Sequence, residues 1–543
     1  MKIKEDYDKL RGGYYTPELI TEFITRWAIR TGSDTVLEPS CGDGSFIKSI
    51  VKCLKDKCVS EDKIKKQILG IELDKNEAKK AGLKGGRVAN SDFFSYYFKN
   101  INGKKKFNVV LGNPPFIRYQ NFVEDYRKCA FDLMQQMDTN PNRLTNIWVP
   151  FLILSCECLK TDGRLGMVIP AELFQVDYAA ETRMYLSNKF ERLIIVTFNK
   201  LLFEGAQQEV VLLLGEKKSI KKGIEVIEIE SASDLLDLNI DNYDAEIKEL
   251  DHSSEKWVKY YLTNTELTLL RKLQNDKRLI KTTDLFDVNV GVVSGQNDFF
   301  ILNNKMVEEY SLNNAVQPII GRAEQLKGIQ LNPLDLDNLK WENKKVFIFE
   351  PENLDYDELS VPEKEYISYG EQAKFNVGYK CRIRKRWYIV PQTWKPEAFM
   401  LRQINKYPKI VLNRTKATNT DTLHKIRFLE GVKPELVVVA FLNSFTFAQC
   451  EITGRSYGGG VMTFEPGEVR KLQIPMKGAE ELDLIYIDEL MRAGKITDVL
   501  DYTDNILLKK HLSLSDKEIH TLRNIWEKMS NRRIERKKKQ KED

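Results

Sequence analysis

Four consecutive residues, Asn113-Pro114-Pro115-Phe116, follow the apolar run Asn108-Val-Val-Leu-Gly112. The two prolines remove backbone donors and fix φ, so the loop is stiff with carbonyls turned outward. A strand-closing turn would need only the prolines, not an amide before them and an aromatic after. The set suits a planar amine. The N6 amine of adenine is a poor nucleophile because its lone pair is delocalised into the ring. The Asn113 side-chain oxygen and the Pro114 carbonyl can accept its two hydrogens, favour a pyramidal nitrogen and free that lone pair. Phe116 can stack on the base. Transfer of a methyl group in line to the nitrogen then depends mostly on positioning, with no metal and no covalent intermediate.

A second set of residues suits the other reactant. Val36-Leu-Glu-Pro-Ser-Cys-Gly-Asp-Gly-Ser-Phe46 reads as an apolar strand, a tight turn and a helix start. Glu38, Pro39, Ser40, Cys41, Gly42 and Gly44 form the turn. Its glycines let the backbone approach a ligand, and Glu38 at the strand end suits an ammonium group. The pattern is not GxGxxG and no P-loop lysine follows, which argues against a dinucleotide or a nucleoside triphosphate. The next strand ends in Gly70-Ile-Glu-Leu-Asp74, where Glu72 or Asp74 can grip a ribose diol, Glu72 having the better register, with Leu73 between them. Ala89-Asn-Ser-Asp-Phe-Phe94 offers Asp92 to an adenine amino group and Phe93 to its ring. One acid at a strand end is usually a helix cap or a solvated turn residue. Three acids ending three successive strands imply one bound nucleoside.

These residues need a frame. The first ~215 residues alternate apolar strands with amphipathic helical stretches, the rhythm of a parallel sheet covered by helices. Expected strands are 35–38, 67–73, 107–112, 165–170, 192–198 and 209–214, with helices over 45–54 and 146–159. At residues 216–256 the chain turns charged and polar, and a domain boundary is expected there. Beyond it, short strands at 288–293, 345–349, 387–390 and 409–412 and helices at 263–273, 434–442 and 515–528 suggest an irregular α+β domain. The expected divisions are 1–220, a connecting region 221–262, a second domain 263–525 and a basic tail 526–543.

Composition narrows the class. The chain has 543 residues, 42% hydrophobic and 30% charged, with a net charge of +5. No apolar stretch approaches a membrane span, and the N-terminus lacks a signal-peptide core, so a cytoplasmic protein is expected. Eight scattered cysteines without paired CxxC knuckles, and four histidines, predict free thiols and no metal site. The cluster Lys380, Arg382, Arg384, Lys385 and Arg386 beside Trp387 and Tyr388 suits nucleic acid.

The order YTP, EPSCGDGSF, IELD, SDFF, NPPF resembles the amino-methyltransferases of restriction–modification systems, in particular the gamma-type (TaqI-like) adenine-N6 enzymes. The resemblance implies the seven-stranded, doubly wound α/β sheet of class I methyltransferases, its last strand antiparallel, followed by a target-recognition domain. It implies S-adenosylmethionine as cofactor. Tyr15, Thr16 and Pro17 would cover its methionine end, Glu38 would face its amino acid part, Glu72 its ribose, and Asp92 with Phe93 its adenine. Asn113 and Pro115 would border it as well, within the catalytic loop Asn113–Phe116. A flipped target adenine would stack on Phe116 and on a second aromatic, Phe203, with Phe198 the alternative. The segments 291–300 and 454–461 resemble elements of recognition domains. DNA contacts are expected from Ser294, Gln296, Asn297, Asn413, Arg414, Lys416, Arg455 and Tyr457, and from Arg382, Arg384 and Arg386. Sequence does not separate base contacts from phosphate contacts.

The alternatives are weaker. Glutamine and some RNA methyltransferases share an NPP-aromatic loop, but usually lack some three hundred residues of recognition domain after it. Cytosine-N4 enzymes more often begin the loop with Ser. Cytosine-C5 chemistry needs a Pro-Cys nucleophile, and no such dipeptide occurs. A catalytically dead DNA reader would not need intact acids and NPPF. A modification subunit of a larger complex would not need its own recognition half. The expectation is a monomer acting on double-stranded DNA, the modification enzyme of a type II-like system or an orphan. Because the ligand motifs begin near residue one, a restriction endonuclease would be a separate chain.

Overall fold

The computed structural model describes residues 16–117, 124–141, 145–200, 209–456 and 460–542, with side chains as far as 535. The chain divides into two compact units, one running to Asn264 and the other from Thr265 to Lys537.

The first unit is built on an eight-stranded sheet: β1 (Val36–Glu38), β2 (Ile68–Glu72), β3 (Arg87–Asn90), β4 (Phe107–Gly112), β5 (Leu159–Pro170), β6 (Arg192–Phe198), β7 (Val210–Glu216) and β8 (Gly223–Ile229), in the order β3-β2-β1-β4-β5-β7-β6-β8. All pairings are parallel except those of β7, which runs antiparallel between β5 and β6. β6 and β7 are buried along their whole length, as Val/Ile/Leu runs covered on both faces must be. Helix α1 (Glu18–Ala28) turns Ile20, Phe23, Ile24 and Trp27 into the core that also takes Ile47 and Ile50 of α2 (Ser45–Asp56). The strand order reverses between β1 and β4, which opens a crevice at their carboxyl ends.

The first seven strands, with β7 antiparallel, have the expected arrangement. The eighth corrects the expectation, because 221–262 is not a connector. β8 pairs with β6 over seven residues. Arg192 at the start of β6, itself buried, donates to Glu225 of β8 at 2.8 Å and lies 3.4 Å from Glu216 of β7. Breaking such a buried, hydrogen-bonded ion pair would strand a charge, so β8 is fixed in the sheet.

The second unit contains a five-stranded sheet, ordered 286–290, 423–428, 398–401, 410–413 and 330–331, and a four-stranded one, ordered 301–302, 347–349, 316–320 and 418–419. An aromatic core joins Phe299, Phe300, Phe349 and Tyr366, with Phe299 and Tyr366 stacked at 4.7 Å. Residues 387–390 are not a strand. There the Trp387 indole donates to Glu371 and the Tyr388 hydroxyl to the Leu354 carbonyl, so side chains fix the segment instead of a ladder. The stretch from 526, expected as the start of a basic tail, belongs to the helix Asp516–Glu542. Trp526, Met529, Ser530 and Arg533 are buried, and Arg533 holds Glu451 at 2.8 Å. No single helix among the described residues is long and apolar enough to cross a membrane.

Candidate active site

β1 carries Glu38 to the crevice. The residue is 2% exposed, and its Oε2 has no hydrogen-bond partner. Burial, and then the nearby Glu72 and Asp43 carboxylates, push its pKa well above the usual carboxylate range. A buried acid facing two others is unfavourable by itself, and a cationic ligand would reverse the balance.

The turn after Glu38 brings backbone forward. Gly44 starts α2 at φ +88°, and a Cβ there would lie 2.8 Å from Ala81 Cα, so glycine is required. Gly42 is at φ +51°, but a Cβ there would meet nothing within 4 Å. It is the open side of the turn. The Gly42 N–H donates to Glu72 Oε2 at 2.9 Å, and the Asp74 N–H donates to Oε1 at 2.8 Å. Burial raises the Glu72 pKa while these two donors oppose the shift. Cys41 is buried, and its N–H donates to the Ile71 carbonyl at 2.9 Å, tying the turn to β2. Leu73, beside Glu72, is 54% exposed, an apolar side chain at the crevice edge. Asp74 accepts from Asn76 N–H and Glu77 N–H as a helix cap.

One further residue had no sequence signal beyond its place at the end of β3. The Asn90 side-chain amide donates to the Glu72 carbonyl at 3.0 Å and to the Leu73 carbonyl at 2.9 Å, fixing the turn that carries both. Asp92 is buried and caps the turn Phe93–Tyr96 by accepting from Phe94 N–H and Ser95 N–H. Phe93 is a core ring, stacked on Phe151 at 5.2 Å.

β4 delivers the Asn-Pro-Pro-Phe loop beside this turn. A Cβ at Gly112 would sit 3.6 Å from Glu38 Cγ and from Pro39 Cδ. The Ser40 hydroxyl donates to the Asn113 carbonyl at 3.3 Å, and the Asn113 amide donates to the Thr16 hydroxyl at 3.2 Å. Three motifs separated in sequence therefore meet at one residue. Thr16 and Pro114 are buried, Pro17 precedes α1, Pro115 and Phe116 are half-buried, and Phe116 packs against the core. Phe198, the alternative stacking aromatic, is a core residue at the end of β6. Tyr15 and Phe203 lie outside the described residues.

In the second unit the expected DNA contacts separate into two kinds. Several polar groups are bound internally. Ser294 is buried and donates to Asn297. Arg384 donates to the Val293 carbonyl at 2.9 Å and the Ser294 carbonyl at 2.7 Å. Arg386 pairs with Asp355 at 2.7 Å, Arg414 with Glu435 at 2.8 Å and Arg455 with Glu468 at 2.7 Å. The Asn413 amide donates to the Pro396 and Ala417 carbonyls, which makes it a turn brace. Others are open: Arg382, Lys416 and Asn297 are exposed or nearly so, and Gln296 is half-buried. Tyr457 lies outside the described residues. The fold brings 294–297 and 380–384 together, two clusters that are far apart in the chain.

A doubly wound sheet with buried acids and a rigid amide–proline loop at its switch point defines an α/β group-transfer enzyme. Residues 46–203 match the Eco57I restriction-modification methylase family, and residues 254–508 match the C-terminal domain of the type II methyltransferase M.Eco57I. The type II methyltransferase M.AccI of Acinetobacter calcoaceticus is 24% identical over 487 residues, covering 86% of each chain. M.HindII of Haemophilus influenzae is 24% identical over 331 residues, 58% of this chain and 59% of that protein. Among solved structures, the type IIL restriction-modification enzyme MmeI in complex with DNA shares the fold at a TM-score of 0.56 and 10% identity, covering 95% of this chain and 75% of that one. The chain belongs to the DNA methyltransferases of restriction–modification systems.

Proposed function

We propose that the protein transfers the methyl group of S-adenosylmethionine to the N6 amine of an adenine flipped out of double-stranded DNA. The observation that carries this reading is the junction at Asn113, where the catalytic loop is hydrogen-bonded to Ser40 of the ligand turn and to Thr16. The residues fit the cofactor. Glu38, a buried carboxylate with an unpartnered oxygen, answers an ammonium group. The open face of Gly42 admits the backbone's close approach. Glu72 keeps further lone pairs for a ribose diol, and exposed Leu73 can cover an adenine face. When bound, S-adenosylmethionine supplies an electrophilic methyl carbon on sulfonium.

The chain's own work is positional. The Asn113 side-chain oxygen and the Pro114 carbonyl accept the two N6 hydrogens, and Phe116 holds the ring. Formation of the N–C bond would be balanced by departure of the C–S electron pair with sulfur. The extra N6 proton passes to water, since neither an amide nor a peptide carbonyl can keep it at neutral pH. Asp92 acts on the cofactor side by fixing the turn after β3. Phe203 remains the proposed second stacking ring. Residues 265–537 form the recognition domain. The enzyme works as a monomer.

The test is single-molecule sequencing of DNA from cells expressing the protein, against an Asn113→Ala control. N6-methyladenine at one short motif, absent from the control, is the expected result. The loss in transfer rate should be on the order of 10²–10³-fold or more, as for removal of one transition-state hydrogen-bonding group. A cytosine mark, or no mark above control, would overturn the adenine reading.

A further inference from the structure

Between Glu371 and Glu397 the chain carries no acidic residue, yet it has Lys374, Lys380, Arg382, Arg384, Lys385, Arg386 and Lys395. The fold gives these cations different tasks. Arg384 is spent on the Val293 and Ser294 carbonyls and Arg386 on Asp355 and Asn353. Lys374, Lys380, Arg382 and Lys385 are exposed, and among the described residues none of them has an ion-pair partner. Between them stand apolar side chains that face water: Val377 at 57% exposure, Tyr379 at 66% and Ile383 at 60%. Val293, whose carbonyl Arg384 holds, is also exposed. Exposed apolar side chains this close in sequence, rimmed by polar groups, mark a contact surface, and a surrounding field of unpaired cations names an anionic cover.

The patch is held firmly. A Cβ at Gly295 would lie 2.5 Å from Lys380 Cβ, and one at Gly378 would lie 2.8 Å from Gln296 Nε2. The turn 293–297 and the basic segment are thus in contact through two glycines, with the Arg384 guanidinium bridging them. Phe299 and Trp387 pack behind at 4.8 Å. Side chains on such a base can meet a partner without reordering the backbone beneath them.

We propose that residues 377–385, with Val293, form a ridge that docks on duplex DNA. The inference rests on the reading of duplex DNA as substrate. Lys380, Arg382 and Lys385 take phosphates, which gives affinity without sequence information. Tyr379 and Ile383 meet base edges or a base step, where a thymine methyl or an opened stack offers apolar surface. Arg384 touches no DNA and is a positioning residue for the ridge.

The experiment is binding of a fluorescein-labelled mixed-sequence duplex to the full chain across a salt titration. The triple variant Lys380→Gln/Arg382→Gln/Lys385→Gln should bind on the order of tenfold to a hundredfold more weakly at physiological salt. The slope of log affinity against log salt should fall by about 3, close to 0.9 for each phosphate no longer neutralised. Thermal unfolding should match wild type, because all three side chains are exposed. Lys380→Arg/Lys385→Arg, with Arg382 kept, should bind as wild type does. Arg384→Ala should lower the unfolding temperature and weaken binding while leaving the salt slope unchanged. Wild-type affinity and slope in the triple variant would overturn the ridge and leave the substrate reading standing. Failure of the wild type to bind duplex, with binding of a labelled RNA or an acidic protein instead, would overturn both.

Discussion

The ligand crevice of the first unit and the basic segment of the second use their charged residues in opposite ways. In the first, the acids Glu38 and Glu72 stand at the ends of neighbouring parallel strands, and their place in the chain fixes their place in the crevice. Backbone groups, the N–H of Gly42 and of Asp74, shape Glu72, while Glu38 Oε2 is left without a partner. In the second, arginines of the same type do unlike work within a few residues. Arg384 closes a turn, Arg386 neutralises Asp355, and Arg382 faces solvent. A parallel ladder converts sequence position into spatial position. An irregular domain does not, because the acceptor that claims an arginine can come from anywhere in the chain.

The largest predicted effect tests the side-chain half of that contrast. Arg533, 5% exposed, pairs with Glu451 and also donates to the Gly460 carbonyl at 2.9 Å. Burial raises the Glu451 pKa, and the guanidinium opposes it. Arg533→Ala should therefore cost the second unit about 3–5 kcal/mol by leaving a buried carboxylate unpaired. Calorimetry should show the unfolding transition of that unit moving down while cofactor binding by the first unit persists. A loss under about 1 kcal/mol would mean that single charged pairs do not carry this unit.

The backbone half of the contrast is tested at two glycines. Gly44→Ala meets both a positive φ and the Ala81 backbone, so it should destabilise the first unit by about 1–3 kcal/mol. Gly42→Ala meets only the positive φ, about 1 kcal/mol. It should fold, yet its methyl group would enter the space left for ligand and abolish cofactor binding. Urea unfolding and calorimetry separate the two outcomes. A foldable Gly42→Ala protein that binds cofactor normally would remove the turn from the site.

The same contrast decides what could be read in advance. β1, β2 and β4, with Glu38, Glu72 and the Asn113 loop at their ends, were legible because buried parallel strands are written as Val/Ile/Leu runs with short glycine or proline ends. β3, with the sequence Arg-Val-Ala-Asn, was legible only through the acid that follows it, since it is an edge strand with little apolar surface. β8 alternates apolar and acidic residues within a stretch that otherwise reads as charged and polar, and its membership depended on Arg192, thirty-three residues earlier. Phe93 and Phe198 show the limit for aromatics. A ring beside a site motif and a ring in the core have the same letter, and packing alone separates them.

Glu38 should impose a pH dependence on the ligand-free protein. Its folded pKa is raised above the ordinary 4.5, so it stays protonated where the unfolded chain's glutamate has ionised. Its contribution to stability is full below 4.5 and is lost as pH rises through the raised value. Glu38→Gln should remove that decline. An ammonium-bearing cofactor ionises the group, so binding releases a proton, and affinity should rise with pH until Glu38 is already charged. Titration calorimetry in buffers of different ionisation enthalpy measures the proton directly. Equal proton release by wild type and Glu38→Gln would place the ammonium elsewhere.

The smallest effect sharpens the comparison most, because it sets a side chain against the backbone rule of the first unit. Asn90 holds the Glu72 and Leu73 carbonyls from an exposed position. Losing two solvent-accessible hydrogen bonds should cost about 1 kcal/mol, a roughly fivefold weaker hold on the cofactor. Asn90→Ala should therefore raise KM for the cofactor by that factor and leave kcat unchanged, since the catalytic loop is anchored through Ser40 and Thr16 instead. Asn90→Asp should be worse than Ala, because a carboxylate would face two carbonyl oxygens without a proton to donate. If both variants kept the wild-type KM, the Glu72–Leu73 turn would be set by its own backbone, and the ladder rule would hold in the first unit without help.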